Sequence, residues 1–400
     1  MKQALVLDGN LKSALSALRS LGKRGIAVTV GAERKTGMAL HSKYATARFV
    51  YPSPYTAQEA FIECVKNEAV QMGGKPVVYA FSDATFLSLY AFRDSLSECM
   101  TLIYADTKSI EIAFDKAATY SLAHISGIPT IPTHAPELIG EVQRLSETVE
   151  YPVVLKTRRS VSWKDGIGVF GTAQFIHAKE ELVKKFSERK EQNGEAPLIQ
   201  TMIYGEEYGV EMLAQNGKVF ATGTHHRIRS LSPTGGASVL KETIDDGELK
   251  NTLEEYALIL VSKLKWSGPI MVEFKVDSDS KAPYLMEING RFWGSLPLAV
   301  ASGVDMPYVY YEYAKEGIIP DAPLVAQERV TTRHFFGDVR HLLRVWFLRD
   351  KMRPYLYPKR ISALRDFFSL PKGIKSDVWW WSDPLPAFME IADILIQIWK

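Results

Sequence analysis

Apolar residues along the chain follow two rhythms. Over the first hundred residues, short apolar runs alternate with helical periodicity. Residues 4–7 read as a strand ending in Asp8-Gly9-Asn10. Leu11, Ala14, Leu15, Leu18 and Leu21 then share one face of a helix, and residues 26–30 and 76–81 read as further strands. Strands alternating with helices predict an open parallel sheet. The first strand-to-helix turn has no G-x-G-x-x-G, so a dinucleotide reading lacks its phosphate cradle. Near Asp106 to Thr119 the chain leaves this unit, with a helix from Asp115-Lys116 to about Ser126. Residues 151–224 read mostly as strands joined by loops. Leu253, Tyr256, Ala257, Leu260, Val261 and Leu264 line one face of a helix over 249–264.

The densest pattern is MVEFKVDSDSKAPYLMEINGR, residues 271–291. Both ends alternate with period two around a turn-like middle, 277–283, which predicts a β-hairpin. Pairing Val276 with Tyr284, Phe274 with Met286 and Val272 with Ile288 makes one apolar face. The same register sets Glu273 opposite Glu287, with Asn289 and Arg291 continuing that second face. Two opposed carboxylates repel, and cations between them remove the cost. Two Glu and an Asn carbonyl are a hard oxygen set suited to Mg²⁺, which bridges nucleotide phosphates.

Composition narrows the class. A chain of 400 residues implies two or three domains, and 46% hydrophobic with 24% charged residues is ordinary for a globular protein. A net charge of +2 does not call for a nucleic-acid partner. Cys64 and Cys99 form no C-x-x-C and have no histidine at ligand spacing, so they are expected to be reduced core thiols. No leader segment or bilayer-length apolar run is visible, and a cytoplasmic location is expected.

Glu273 together with Glu287-Ile288-Asn289-Gly290-Arg291 resembles the E-x-N-x-R metal and phosphate motif of the ATP-grasp superfamily, in the form seen in carbamoyl phosphate synthetase and biotin carboxylase. The resemblance covers roughly residues 1–315. It implies mixed α/β and α+β architecture. An open parallel α/β pre-ATP-grasp domain (1–108) would precede an ATP-grasp domain (109–325) of two subdomains with the nucleotide between them, then a mostly helical C-terminal extension (326–400). It further implies ATP and Mg²⁺, or Mn²⁺, as cofactors, with Glu273, Glu287 and Asn289 on the metal. Lys116 and Lys156 would contact phosphates, backbone near Thr201, Met202 and Ile203 would face the adenine, Gln200 would line the nucleotide site where many members carry an acid, and Glu207 would meet the ribose. Between Lys156 and Val169 the family carries a glycine-rich loop. This chain keeps Gly166 and Gly168 and adds Arg158, Arg159 and Lys164.

On the acceptor side, His225 to Ser230 precedes Pro233-Thr234-Gly235-Gly236-Ala237-Ser238 and resembles the loop of amino-acid and carbamoyl-type ligases that faces the reacting carboxylate. Arg227, Arg229 and Arg291 are the catalytic candidates, and Gly235, Gly236 and Ser238 the substrate-lining ones. His225 and His226 are adjacent on a strand and point to opposite faces, so they are not read as a zinc site. The family implies a small-molecule carboxylate, phosphorylated to an acyl phosphate that an amine captures. Two alternatives are a bicarbonate-phosphorylating carboxylase or carbamoyl-forming enzyme, which the lack of an acid in Phe292 to Leu296 disfavours, and a non-catalytic ATP-binding scaffold.

After about residue 325, Arg, Lys, Trp and Pro become dense. Arg340, Arg344, Arg349, Lys351 and Arg353 lie among Leu342, Leu343, Val345, Trp346 and Phe347. A final helix over 386–399 carries Phe388, Ile391, Ile394, Leu395, Ile398 and Trp399. With Glu390 and Asp393 inside that helix, the tail reads first as packed on the preceding domain or as a homodimer contact. The second reading is peripheral membrane contact, because basic residues beside Trp and Leu suit a bilayer interface.

Overall fold

The structure, a computed structural model, describes residues 2–164, 166–244, 247–348 and 357–398. Arg349, Lys351, Arg353 and Trp399 lie outside the described residues.

The N-terminal strands are β1 (Gln3–Val6), β2 (Ala27–Ala32), β3 (Ala47–Val50) and β4 (Val77–Tyr79). They form an all-parallel sheet in the order β3-β2-β1-β4, as strand–helix alternation predicts. The edge strand β3 gives no apolar signal because its residues are largely exposed. Asp8 follows β1 at φ 55°. Its carboxylate accepts from the Phe81 and Ser82 amides and the Thr85 hydroxyl, tying the ends of β1 and β4 together.

The helix Lys12–Lys23 follows β1. Leu11 is its N-cap and is 39% exposed, so it does not belong to the apolar stripe. The helix is also buried well beyond one face: Lys12, Ser13, Ser16, Arg19 and Ser20 are covered too. The C-terminal segment covers Lys12 and Arg19, while Ser20 donates to Asp305. Arg19 donates to Asp383 and to the Val378 carbonyl, and Lys12 donates to Asp377.

A second sheet contains β5 (Thr133–His134), β6 (Val153–Lys156), β9 (Gln174–Ile176) and β10 (Leu198–Thr201), in the order β5-β10-β6-β9. Between β6 and β9 the atypical basic loop forms its own hairpin, β7 (Val161–Lys164) with β8 (Ile167–Phe170). The expectation of mostly strands and loops over 151–224 misses the helix Lys179–Asn193. Its buried apolar anchors are only Leu182 and Phe186, one turn apart, amid charged residues, so its periodicity is faint.

The third sheet comprises β11 (Gly205–Gln215), β12 (Lys218–Ser232), β13 (Gly235–Thr243), β14 (Gly268–Asp277), β15 (Pro283–Asn289), β16 (Thr331–Arg333) and β17 (Lys375–Ser376). Their order is β15-β14-β11-β12-β13-β16-β17. The helix Glu248–Lys263 packs Leu253, Ala257, Leu260 and Val261 into the core beneath it, where Tyr208, Val210 and Met212 also lie. The helices Phe335–Phe347, Arg360–Phe368 and Leu385–Ile398 make the C-terminal segment mostly helical. That segment also extends the sheet through β16 and β17, and it packs back on the N-terminal unit.

The β14–β15 register agrees with expectation at the motif end and departs beyond it. Glu273 pairs with Glu287 and Val272 with Ile288. A bulge after Glu273 then shifts the ladder, so Phe274 meets Leu285 and not Met286, and Val276 meets Pro283 and not Tyr284. Met286 is the extra residue, and its carbonyl accepts from Tyr120 Oη at 2.8 Å. The shift turns Leu285, fully buried, into the core beside Phe274. Cys64 and Cys99 are free thiols, half-buried at the core margin and not inside it.

Asp377 sits fully buried between Lys12 and Lys241, at 2.7 Å from each. Burial pushes Lys241 down to about 7 even with Asp377 beside it. Asp377→Ala would leave two buried ammonium groups without a counter-charge. Unfolding in urea should show a loss of about 3–5 kcal/mol, far more than removal of an exposed carboxylate such as Asp366.

Candidate functional site

The opposed glutamates form the centre of a charged network contributed by four parts of the chain. Glu273 reaches the site from β14 and Glu287 from β15. Both are largely buried, with 13% and 28% of their side chains exposed. Each carboxylate has drawn in protein cations. Lys116 Nζ lies 3.4 Å from Glu287 and donates to Ser160 Oγ at 3.0 Å. Lys116 is the first residue of the helix Lys116–Ile125, whose N-cap Asp115 accepts from two backbone amides and also binds Arg158 and Arg159. Arg227 on β12 bridges Glu207 at 2.6 Å and Glu273 at 3.2 Å.

Asn289 Nδ2 donates to Glu273 at 3.2 Å, and its Oδ1 accepts from Arg291 at 2.9 Å. Arg291 in turn donates to Asp83 at 2.7 Å, on the first turn of the helix Asp83–Ala91. The motif arginine thereby joins the third sheet to the N-terminal unit. After Asn289 the chain passes so close to the Trp266 and Phe114 rings that a Cβ at Gly290 would lie 2.5 Å from Trp266. Only glycine fits this approach.

Electrostatics separate the two glutamates. Burial raises the pKa of Glu273, and the neighbouring Glu287 and Glu207 add to the rise despite Arg227. Burial acts on Glu287 too, but Lys116, Lys156 and Arg291 outweigh it and hold the group down at about 2. Glu207 is also lowered, with burial outweighed by Arg227, Lys275 and Lys156. Lys156, at the end of β6, therefore acts on both carboxylates from the second sheet. The donor set fits a divalent cation. Two carboxylates, hard oxygen donors, face each other across the ladder, while Asn289 turns its amide nitrogen to Glu273 and its oxygen to Arg291.

Other candidates are placed differently. Thr201 closes β10, with its amide donating to the Pro132 carbonyl, and Met202 and Ile203 lie in the connection to β11, outside any ladder. Gln200 is turned inward and donates to Tyr120 Oη and Thr133 Oγ1. Arg227 and Arg229 do not converge. The β12–β13 ladder shifts between them, and Arg229 forms an ion pair with Asp338, 2.8 Å away, which Arg333 also binds. Gly235 and Gly236 open β13 just after the turn at Pro233 and Thr234, at φ 118° and 106°, where a side chain would be strained. The Ser238 carbonyl accepts from Lys12 at 2.7 Å. His225 is buried against Glu211, and His226 stacks on Tyr208.

Sequence reading missed Asp83, Ser160 and Lys275 as members of the network. Asp83 follows the β4 run directly as Ser82-Asp83, a helix-start signal. The hairpin β7–β8 was also unforeseen as a contact element. It leans on the N-terminal unit, with Gly168 N donating to Tyr55 O and Trp163 Nε1 to Pro54 O at 3.4 Å.

Comparison with known proteins bears on this geometry. Residues 194–335 match the profile of a family described as "ATP-grasp in the biosynthetic pathway with Ter operon". The large chain of carbamoyl phosphate synthase from Pyrococcus furiosus is 27% identical over 210 residues. That match spans 51% of this chain but only 19% of the synthase chain. Among solved structures, the biotin carboxylase–β,γ-ATP complex from Campylobacter jejuni superposes with a TM-score of 0.65 at 17% identity, covering 80% of this chain and 72% of that one. The L-amino acid ligase from Bacillus licheniformis gives a TM-score of 0.57 at 17% identity, covering 78% and 74%. At such identities the shared property is the fold.

Trp163→Ala should release the β7–β8 hairpin from the Pro54–Tyr55 segment. In hydrogen exchange, the Gly168 amide should exchange roughly ten-fold faster, as expected for a locally lowered opening free energy, while amides of β1 and β4 keep their protection.

Proposed function

We propose that this chain, which has the ATP-grasp fold, is an ATP-dependent carboxylate–amine ligase. The observation that carries the reading is the convergence of Glu273, Glu287 and Asn289 with Lys116, Lys156 and Arg291, from two sheets and the helix Lys116–Ile125, on one largely buried network. Glu273, Glu287 and Asn289 would hold Mg²⁺, or Mn²⁺, which when bound neutralises the phosphates of ATP. Lys116 and Lys156 would exchange their carboxylate partners for phosphate oxygens. Residues 201–203 and Glu207 would seat the adenosine.

The reaction follows from that seat. A carboxylate oxygen of the substrate attacks the γ-phosphorus, the bond to ADP breaks, and an acyl phosphate forms. The amine nitrogen then attacks the acyl carbon, phosphate leaves, and the nitrogen sheds a proton to give the amide. No side-chain nucleophile is needed, so positioning and electrostatics carry the rate. Arg291, oriented by Asp83 and Asn289, is placed to stabilise the transferring group. Arg227 faces the same carboxylates, and Gly235 and Gly236 border the acceptor space. Arg229, bound to Asp338, would support the acceptor loop from behind. Residues 1–108, 109–325 and 326–400 are proposed as the pre-ATP-grasp domain, the nucleotide-binding body and the extension. The carboxylate and the amine would be small molecules.

A second reading is phosphorylation of bicarbonate, which the similarity to biotin carboxylase and carbamoyl phosphate synthase supports. ADP release with bicarbonate alone would favour it. Release that needs an organic carboxylate and an amine, with an amide found by mass spectrometry, supports the ligase.

Glu287→Gln should abolish ADP release in a protein that folds normally by circular dichroism. Turnover near the unsubstituted rate would refute the metal assignment. Lys156→Ala should weaken ATP binding by calorimetry by about 1.5–3 kcal/mol, the range for a hydrogen bond to a charged group.

A further inference from the structure

The outer side of the C-terminal segment departs from ordinary protein surface. On the helix Phe335–Phe347, Asp338, His341 and Val345 turn inward, while Leu343, Trp346 and Phe347 face water. Phe347 is 76% exposed and the following Leu348 67%. The helix Arg360–Phe368 packs against it, burying Ala363 and Phe367. Its Ile361, Leu364 and Phe368 recur at helical spacing on the outside, with Ile361 81% and Phe368 74% exposed. Single exposed apolar residues are normal, but an apolar stripe on each of two packed helices is not.

Charge surrounds these stripes. Arg340, Lys359, Arg360, Arg365 and Lys372 are exposed, and among the described residues of 333–375 Asp366 is the exposed acid. The whole chain nets only +2, so this is a local excess. Beside the helices lies a cavity of about 420 Å³ walled by Phe335, Phe336, Leu370, Ile374 and Trp379, with Arg333 and Lys375 also at its wall. No helix among the described residues is long and apolar enough to cross a membrane.

We propose that this face docks on the surface of an anionic lipid bilayer. The exposed Phe, Trp, Leu and Ile side chains enter the boundary between headgroups and acyl chains, and the arginines and lysines meet lipid phosphates. A second copy of the chain would cover the apolar stripes but would set five cations against the same five, since a two-fold interface pairs a patch with itself. An anionic bilayer satisfies both the apolar and the charged parts. The cavity, whose wall also carries Glu390, offers an acyl chain an apolar place among Phe335, Phe336, Leu370, Ile374 and Trp379.

The test is flotation of the full chain with vesicles of phosphatidylcholine containing phosphatidylglycerol, against vesicles of phosphatidylcholine alone. The protein should float with the anionic vesicles, and raised salt should release it. Phe347→Glu with Phe368→Glu, and separately Arg360→Glu with Arg365→Glu, should each cut the bound fraction roughly ten-fold. These side chains are exposed, so circular dichroism should show native folding. Full-length protein left at the bottom of the gradient with anionic vesicles at low salt overturns the proposal. So does undiminished binding by both double variants. A stable dimer that the Phe347→Glu, Phe368→Glu pair splits, without any vesicle binding, would assign the face to a second copy and overturn it as well.

Discussion

Two glutamates held face to face in a largely buried ladder need positive charge, and much of the architecture around them answers that need. Glu273 and Glu287 stand directly opposite on β14 and β15, where neither solvent nor distance screens them fully. Arg227 on β12, Lys116 on a helix and Lys156 on β6 converge because of this demand. Lys116, Lys156 and Arg291 hold the pKa of Glu287 down, whereas burial, with Glu287 and Glu207 adding to it, raises that of Glu273 despite Arg227. Lysines and arginines thus partner both carboxylates.

The second constraint is that the site is not contained in one sheet. Arg291 is anchored by Asp83 in the N-terminal unit, so the position of the motif arginine depends on how that unit docks. Docking is enforced at a distance by the C-terminal segment. Asp377 binds Lys12 and Lys241, Asp383 binds Arg19, and Ser42 donates to Asp383. Lys241 lies directly across the ladder from Arg227. The clamp that joins the first helix to the third sheet is thus a neighbour of the charged network.

The hairpin β7–β8 also touches the helix Lys179–Asn193, through Ser162 and Lys164. Its contacts with the N-terminal unit are few: a Gly168 amide, the Trp163 indole, and a close approach of Gly168 to the Tyr55 ring and backbone. Lys116 binds Ser160, just before the hairpin, and Arg158 and Arg159 hold Asp115, the cap of the Lys116 helix. Basic side chains therefore tie the loop base to the helix that begins at Lys116. Local opening at such a lightly held segment is cheap.

By itself the sequence determined whatever depends on short-range pattern. Strand–helix alternation specified the parallel sheet, and period two placed Glu273 across from Glu287, because a one-residue slip would have turned the apolar residues outward. Asp115 was legible as a helix start next to Lys116. Tertiary structure alone decided the rest. The bulge at Met286 depends on Tyr120 and on the space for Leu285, which no local pattern encodes. The separation of Arg227 from Arg229 arises from a ladder shift and from Asp338, more than a hundred residues away. The burial of Lys12 and Arg19, polar residues on a helix that reads as amphipathic, waits on Asp377 and Asp383 near the far end of the chain. Charge pairs of that sequence separation leave no periodic trace. Their partners become visible only when the fold brings them within about 3 Å, the reach of a charge-assisted hydrogen bond.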